Sequence, residues 1–200
     1  DLNNQDSNGD TALHAAAFMS TLEITEMLVK KKADLDHQNI YDHNTALMLA
    51  AYNGRAKIVQ LLAENKANLE LVNLEGRGTA LLMAAIKGHL DVVKILVEFK
   101  ANLNARNQNN HTSLMLAAGA GHTAVVQLLV SQKEVRDSID CKDNDGDTAL
   151  KLAVSKGHTD VIKVLAEHKA SLDCKDKDGI TALMMAACEG ADDKTSLSVV

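Results

Sequence analysis

Two short stretches of the sequence have residue types and spacings that could bind a ligand. The first, residues 119–124, is Gly-Ala-Gly-His-Thr-Ala and has the glycine spacing of a dinucleotide-binding loop. That chemistry needs a strand before the first glycine and a helix that starts at the phosphates. The preceding residues, 112–118, have the composition of a helix with paired alanines, so we interpret the motif as a turn between two helices.

The second stretch, residues 143–147, is Asp-Asn-Asp-Gly-Asp and is superficially similar to a calcium-binding loop. Calcium takes oxygen ligands, but Cys141 would stand at the first ligand position and Leu152 at the last, bidentate one. Asp, Asn and Gly are also the residues that turns favour. We therefore predict a turn at residues 143–147, and we expect neither a cofactor nor a metal ion in this chain.

The elements around these stretches repeat along the chain. A Thr-Ala-Leu or Thr-Ser-Leu triplet recurs at intervals of 33 to 36 residues, beginning at Thr11, Thr45, Thr79, Thr112, Thr148 and Thr181. In five of these six copies a glycine follows nine residues after the threonine, at Gly54, Gly88, Gly121, Gly157 and Gly190. Alanine pairs precede the glycine, and aliphatic pairs such as Val92-Val93 follow it. Each copy therefore predicts two short helices that are joined at the glycine.

The two predicted helices of a copy have different roles. The threonine can cap the first helix, because its side-chain oxygen accepts hydrogen bonds from unpaired N–H groups. Alanine favours the first helix and lets neighbouring helices pack closely. In the second helix the aliphatic residues form one apolar stripe, for example Val125, Val126, Leu128 and Leu129. A helix pair of this size cannot bury its stripe alone, so the units must stack into a solenoid.

With these features the sequence resembles the ankyrin repeat. The resemblance rests on the 33-residue period, Thr-Ala-Leu-His at residues 11–14, the alanine pairs, the Gly-His pairs that begin at Gly88, Gly121 and Gly157, and the Asp/Asn-rich turns. It implies an all-α solenoid of stacked helix-turn-helix units with β-hairpin or turn fingers. We expect one domain over residues 1–200, with repeats at about 6–36, 37–70, 71–104, 105–140, 141–173 and 174–200 and residues 1–5 as the tail of a preceding repeat.

The sequence departs from the family pattern in several ways. It has no proline, which the family favours after the threonine, and the family's histidine near the start of the first helix is retained only as His14. Lysine replaces the glycine that follows the second helix at Lys32, Lys66, Lys100 and Lys169, where we expect a left-handed backbone. Residues 132–138 contain three extra residues. In the last repeat, polar residues replace the stripe at 194, 195 and 198, which predicts a frayed or truncated second helix.

Composition and charge exclude several function classes. The formal net charge is −6 and neither half of the chain is basic, so we expect no nucleic-acid partner. No apolar run approaches the roughly 20 residues that cross a bilayer, and we recognise no signal peptide, so we expect no membrane insertion. The three cysteines are too few for a disulfide framework and favour a reducing compartment, the cytoplasm or the nucleus. We expect a monomer.

Nothing in the repeat pattern resembles a catalytic centre. No nucleophile, base and orienting acid recur in one repeat frame. His89, His122 and His158 each begin a predicted second helix, a structural position in the family. Cys141 and Cys174 share one column, but neighbouring repeats lie about 10 Å apart by ordinary helix packing, which is beyond the reach of a disulfide. We therefore predict that the chain is not an enzyme.

The resemblance places partner-binding residues at the finger tips and at the two positions before the inter-helix glycine. Three of the four aromatic residues fall in these columns, namely Phe18, Tyr41 and Tyr52. Displayed aromatic residues are frequent binding hot spots, so we expect an apolar patch in the N-terminal half; alternatively, the rings fill gaps between helices. The full candidate set is Phe18, Met19, Tyr41, Asp42, Tyr52, Asn53, Ile86, Lys87, His111, Asp145, Asp147 and Lys156.

The resemblance thus implies a non-catalytic scaffold that binds a protein or peptide partner on its concave face. The alternative is that these residues are a regulatory or targeting ankyrin segment of a larger enzyme, channel or pathogen effector.

Overall fold

The protein is described by a computed structural model that covers residues 2–74 and 78–192, without the side chains of residues 189–192. Within these residues the chain forms twelve α-helices and no β-strand. They are α1 (Ala12–Met19), α2 (Leu22–Lys30), α3 (Ala46–Tyr52), α4 (Ala56–Glu64), α5 (Ala80–Lys87), α6 (Leu90–Glu98), α7 (Ser113–Gly119), α8 (Thr123–Ser131), α9 (Lys133–Asp137), α10 (Ala149–Ser155), α11 (Thr159–Glu167) and α12 (Ala182–Asp192). The predicted all-α solenoid is confirmed.

The first helices of the repeats, α1, α3, α5, α7, α10 and α12, contact one another in chain order. The alanine pairs of α1, α3, α5 and α7 are buried, as at Ala50-Ala51 and Ala84-Ala85, and the small side chains let the helices approach closely. Threonine caps four of these first helices as predicted; for example, Thr45 Oγ1 accepts the Met48 N–H at 3.2 Å and Thr112 Oγ1 accepts the Met115 N–H at 3.3 Å. Within the described residues, Thr11 and Thr79 make no such bond: Thr11 Oγ1 contacts His14, and Thr79 Oγ1 is buried without a hydrogen-bond partner.

The second helices form the other layer, in which each one contacts the second helix of the next repeat. Their apolar stripes are buried in one continuous core, as at Ile58, Val59 and Leu62. Burying an aliphatic side chain of this size stabilises a fold by about 1.5–3 kcal/mol. The core therefore runs along the solenoid between the two layers of helices.

The turn between the two helices is fixed by the histidine of the next repeat. Gly88 has a φ of 74°, and a Cβ atom there would lie only 2.4 Å from Nδ1 of His122. His122 Nε2 in turn donates to the carbonyl of Ile86 at 3.0 Å. His89 and His158 make the same contacts with the repeats before them. The Gly-His pairs are therefore structural, and they join adjacent repeats.

The four lysines that follow the second helices all have the left-handed backbone that the sequence predicts. Their φ angles lie between 63° and 67°, at Lys32, Lys66, Lys100 and Lys169. The alanine after each lysine is buried, and its N–H returns to a helix carbonyl, as from Ala67 to Leu62 at 3.0 Å. Each lysine therefore ends its helix in a conformation that glycine adopts more readily.

The fingers are turns. Asp143 is typical: its Oδ1 atom accepts the N–H groups of Asp145 and Asp147 at 2.9 and 2.8 Å. Neighbouring fingers are joined by a backbone hydrogen bond, such as that from Ile40 N–H to the Asn8 carbonyl at 3.1 Å. Such sparse pairing aligns the fingers in a row without forming a strand ladder, so the hairpin form of the finger is absent from the described residues.

Two segments differ from the simple repeat. The extra residues at 132–138 form the short helix α9, whose Val135 side chain is buried in the core. Helix α12 continues through Gly190, where the sequence predicts a turn; that prediction is wrong. The residues after Gly190 have no apolar stripe that would draw the chain back onto the core. The expected frayed second helix at 194–198 lies outside the described residues.

Candidate functional site

A groove opens beside the fingers and first helices of the first two repeats. It is open to solvent and has a volume of about 510 Å³. The end of α1 contributes Phe18 and Met19, the second finger contributes Tyr41 and Asp42, and Leu49 lies on α3. We call this space the N-terminal groove, and its complete lining is Asn8, Asp10, His14, Ala15, Phe18, Met19, Asn39, Tyr41, Asp42 and Leu49.

The large side chains around the N-terminal groove are exposed. Phe18 is 58% exposed, Met19 73% and Tyr41 74%. Phe18 and Tyr41 therefore do not fill gaps between helices. Tyr52 is half-buried and packs against the core, and the Nζ atom of Lys87 lies 4.4 Å from the centre of its ring. The structure thus places two of the three candidate rings on the surface and covers part of the third.

The floor of the groove contains a buried histidine. His14 Nε2 donates to the carbonyl of Asn44 at 2.9 Å, so Nδ1 is the unprotonated nitrogen and accepts from Thr11 Oγ1, also at 2.9 Å. The ring of His37 meets it edge-on, with the ring centres 5.7 Å apart. Burial lowers the pKa of His14, so the ring is neutral near pH 7. The floor therefore contributes no positive charge.

The rim of the groove is acidic. Asp10 Oδ1 accepts the side-chain amide of Asn39 at 2.9 Å, and Asp42 Oδ2 accepts that of Asn44 at 2.7 Å. Each of these contacts uses one oxygen of the carboxylate and fixes its orientation. No lysine or arginine occurs among the described residues that line the groove.

A second, smaller depression lies along the first helices of the middle repeats. It encloses about 200 Å³ and is bounded by Ile86 of α5, Gly119 of α7 and Leu152 of α10, with His111 at its edge. The groove and this depression are also bounded by Leu49, Leu116 and Leu152, which share one repeat column. The candidate set omitted this column. It lies one helical turn before the Phe18 column, so its spacing in the sequence could have identified it.

The remaining candidate residues are dispersed, and several have internal partners. The amide of Asn53 donates to the Leu49 carbonyl at 2.8 Å, and His111 Nε2 lies 3.1 Å from Asp143 Oδ2. Asp145 and Lys156 are exposed and belong to neither depression. Of the twelve candidates, the structure groups Phe18, Met19, Tyr41 and Asp42 in the N-terminal groove, and Ile86 and His111 in the smaller depression.

A buried lysine explains another candidate residue. Lys151 of α10 is buried and pairs with Asp147 of its own repeat at 2.8 Å and with Asp176 of the next finger. The ion pairs join the fifth and sixth fingers. Asp147 thus has a structural contact while part of its side chain remains accessible to solvent.

The described residues also bear on metal binding and on membrane crossing. No group of three or more His, Cys, Asp or Glu side chains among them is placed to hold a metal ion. The carboxylate oxygens of Asp143 are engaged by backbone N–H groups and by His111. No helix in the described part of the chain combines the length and apolarity that would cross a membrane.

A comparison with models of known protein families agrees with this architecture of repeated helix pairs, Gly-His contacts and turn fingers. The family model for ankyrin repeats, described as three copies, matches residues 1–73, 68–138 and 135–197. The chain belongs to the ankyrin-repeat family. No curated protein matches the chain in a sequence search. Ankyrin repeats are generally protein-interaction modules, and the N-terminal groove is the larger of the two depressions described above.

Proposed function

We propose that this ankyrin-repeat chain is a monomeric, non-catalytic scaffold that binds a protein or peptide partner on its concave face, in a reducing compartment. Contact would be centred on Phe18, Met19, Tyr41 and Asp42 and extend toward Tyr52 and Ile86. The outlying candidates Asn53, Lys87, His111, Asp145, Asp147 and Lys156 would border this surface.

A single observation supports the proposal most strongly, namely the exposure of Phe18, Met19 and Tyr41 around one groove. The large apolar side chains of the core are almost completely buried, as at Leu47 and Leu81, and other exposed ones, such as Ile40 and Leu74, do not line this groove. Exposed aromatic residues grouped around a concave space are typical of a binding site.

The test is partner capture with matched aromatic variants. The Phe18→Ala/Tyr52→Ala double variant removes two rings from the concave columns, whereas Phe99→Ala removes the ring that ends α6, outside those columns. Proteins retained by the wild-type chain are identified, purified and titrated against all three forms. We expect the double variant to bind the partner with an affinity that is lower by roughly tenfold or more, and Phe99→Ala to bind it with unchanged affinity. A partner that binds the double variant as tightly as the wild type would overturn the proposal.

A further inference from the structure

The N-terminal groove combines apolar walls with an acidic rim, and this combination selects a class of partner. Resting on the proposed function, we infer that the groove binds a partner segment in which a large apolar residue lies within two positions of a lysine or arginine. The occupant is therefore a basic, apolar stretch of another protein.

The apolar part of this recognition comes from the walls. Phe18, Met19 and Tyr41 border one space of about 510 Å³, with Leu49 beneath them. This volume lies within the range of pockets that bury most of a small ligand. A leucine, methionine or aromatic side chain of the partner can therefore enter it, and its burial against the exposed walls removes apolar surface of both molecules from water.

The charge preference comes from Asp10 and Asp42. Both carboxylates border the same space as the apolar walls, so one partner segment can contact the rim and the walls together. Hydrogen bonds between a cation and a carboxylate are about twice as strong as neutral ones. The ring of His14 is neutral and no lysine or arginine occurs among the described lining residues, so within this set of residues no cation competes for the two carboxylates. An acidic segment would instead be repelled.

The test is selection from a random peptide library displayed on phage against the intact chain, followed by titration of the synthetic winners by fluorescence anisotropy. We expect the selected peptides to carry a large apolar residue within two positions of a lysine or arginine. Tyr41→Ala should weaken them about tenfold. The Asp10→Asn/Asp42→Asn variant should weaken them about threefold to thirtyfold and reduce the dependence of affinity on salt.

Two matched controls lie outside the groove. Phe99→Ala removes an aromatic ring and Glu98→Gln removes an exposed carboxylate, both at the end of α6. Neither should change the affinity of the selected peptides.

Several results would overturn the inference. These are winners that are acidic or uncharged, winners indifferent to the Asp10→Asn/Asp42→Asn variant, or a selection that yields no peptide. Winners that depend on Ile86 or Tyr52 but not on Tyr41 would overturn it and leave the proposed concave-face function intact. Failure of that wider function is recognised separately, because the captured partner would then ignore Phe18→Ala/Tyr52→Ala.

Discussion

At the scale of single residues, His14 should make the first two repeats sensitive to acid. Burial holds the pKa of His14 below the ordinary value of 6.5, and the hydrogen bond to the Asn44 carbonyl and the charge of Asp10 oppose this shift to a smaller extent. The unfolded chain therefore binds the proton more readily than the folded chain, and the free energy of unfolding falls as pH drops below about 6.5. In the neutral ring, Nδ1 accepts a hydrogen bond from Thr11 Oγ1. Protonation places a hydrogen on Nδ1, so it can no longer accept this bond.

The measurement is the unfolding midpoint of wild type and His14→Met at about pH 7.5 and about pH 5.5. Other repeats have methionine at the position of His14, for example Met48 and Met115. Their sulfur atoms lie 3.5 and 3.4 Å from the backbone nitrogen atoms of the capping threonines. At the higher pH the variant should be less stable by about 1 kcal/mol, because it loses the bond to Asn44. The wild type should lose more stability on acidification than the variant. Equal losses would show that His14 does not cause the acid sensitivity.

The residue three positions after the capping threonine joins neighbouring repeats by different polar contacts in different repeats. His14 reaches the Asn44 carbonyl of the next finger, and Lys151 reaches Asp176 of the next finger. Both side chains are buried and join neighbouring repeats at the base of the fingers. At the same position the sulfur atoms of Met48 and Met115 contact the N–H group of their own capping threonine.

At the scale of the elements, the lysines that end the second helices should reduce stability. Lys66 has a φ of 67°, a conformation that costs a residue with a Cβ atom on the order of 1 kcal/mol. Lys66→Gly should therefore raise the free energy of unfolding by up to about 1 kcal/mol, since the backbone bonds of the helix end are retained. Urea denaturation measures this change.

Lys66→Ala provides the matched control, because it removes the same charge but keeps the strain. It should give no stabilisation. If alanine stabilises as much as glycine does, the charge of the lysine and not its backbone is responsible.

The sequence predicted the elements well because each follows from a local rule: threonine caps, glycine turns and apolar stripes. The exposure of a candidate side chain could not be predicted from its position in the repeat alone, because it depends on the side chain that the next repeat packs against it. Phe18 and Tyr52 share a column, but Tyr52 is covered by Lys87, whereas the corresponding residue beside Phe18 is the short Asn53. The helix at 133–137 was missed because five residues carry too little periodicity to indicate one.

At the scale of the whole molecule, the two ends of the described solenoid differ from its middle. Ile24 of α2 is 46% exposed, whereas its counterparts Ile58 and Val92 are 2% and 1% exposed. At the other end, Leu183 of α12 is 40% exposed, whereas its counterpart Leu150 is 1% exposed. Each interior repeat is packed on both sides, and the first and last described units lack this burial on one side. In a solenoid, stability is approximately a sum over repeats and the interfaces between them.

This difference predicts a gradient of amide hydrogen exchange in the 200-residue chain. Helices α6 and α8 have neighbours on both sides, so their amides should exchange slowest, near the rate set by global unfolding. Amides of α2 and α12 should exchange faster, because opening an end breaks only one interface. Mass spectrometry of peptides from the exchanged protein gives the order. Equal protection along the chain would mean that all repeats open as one unit, and the ends would then owe their stability to contacts other than nearest-neighbour stacking.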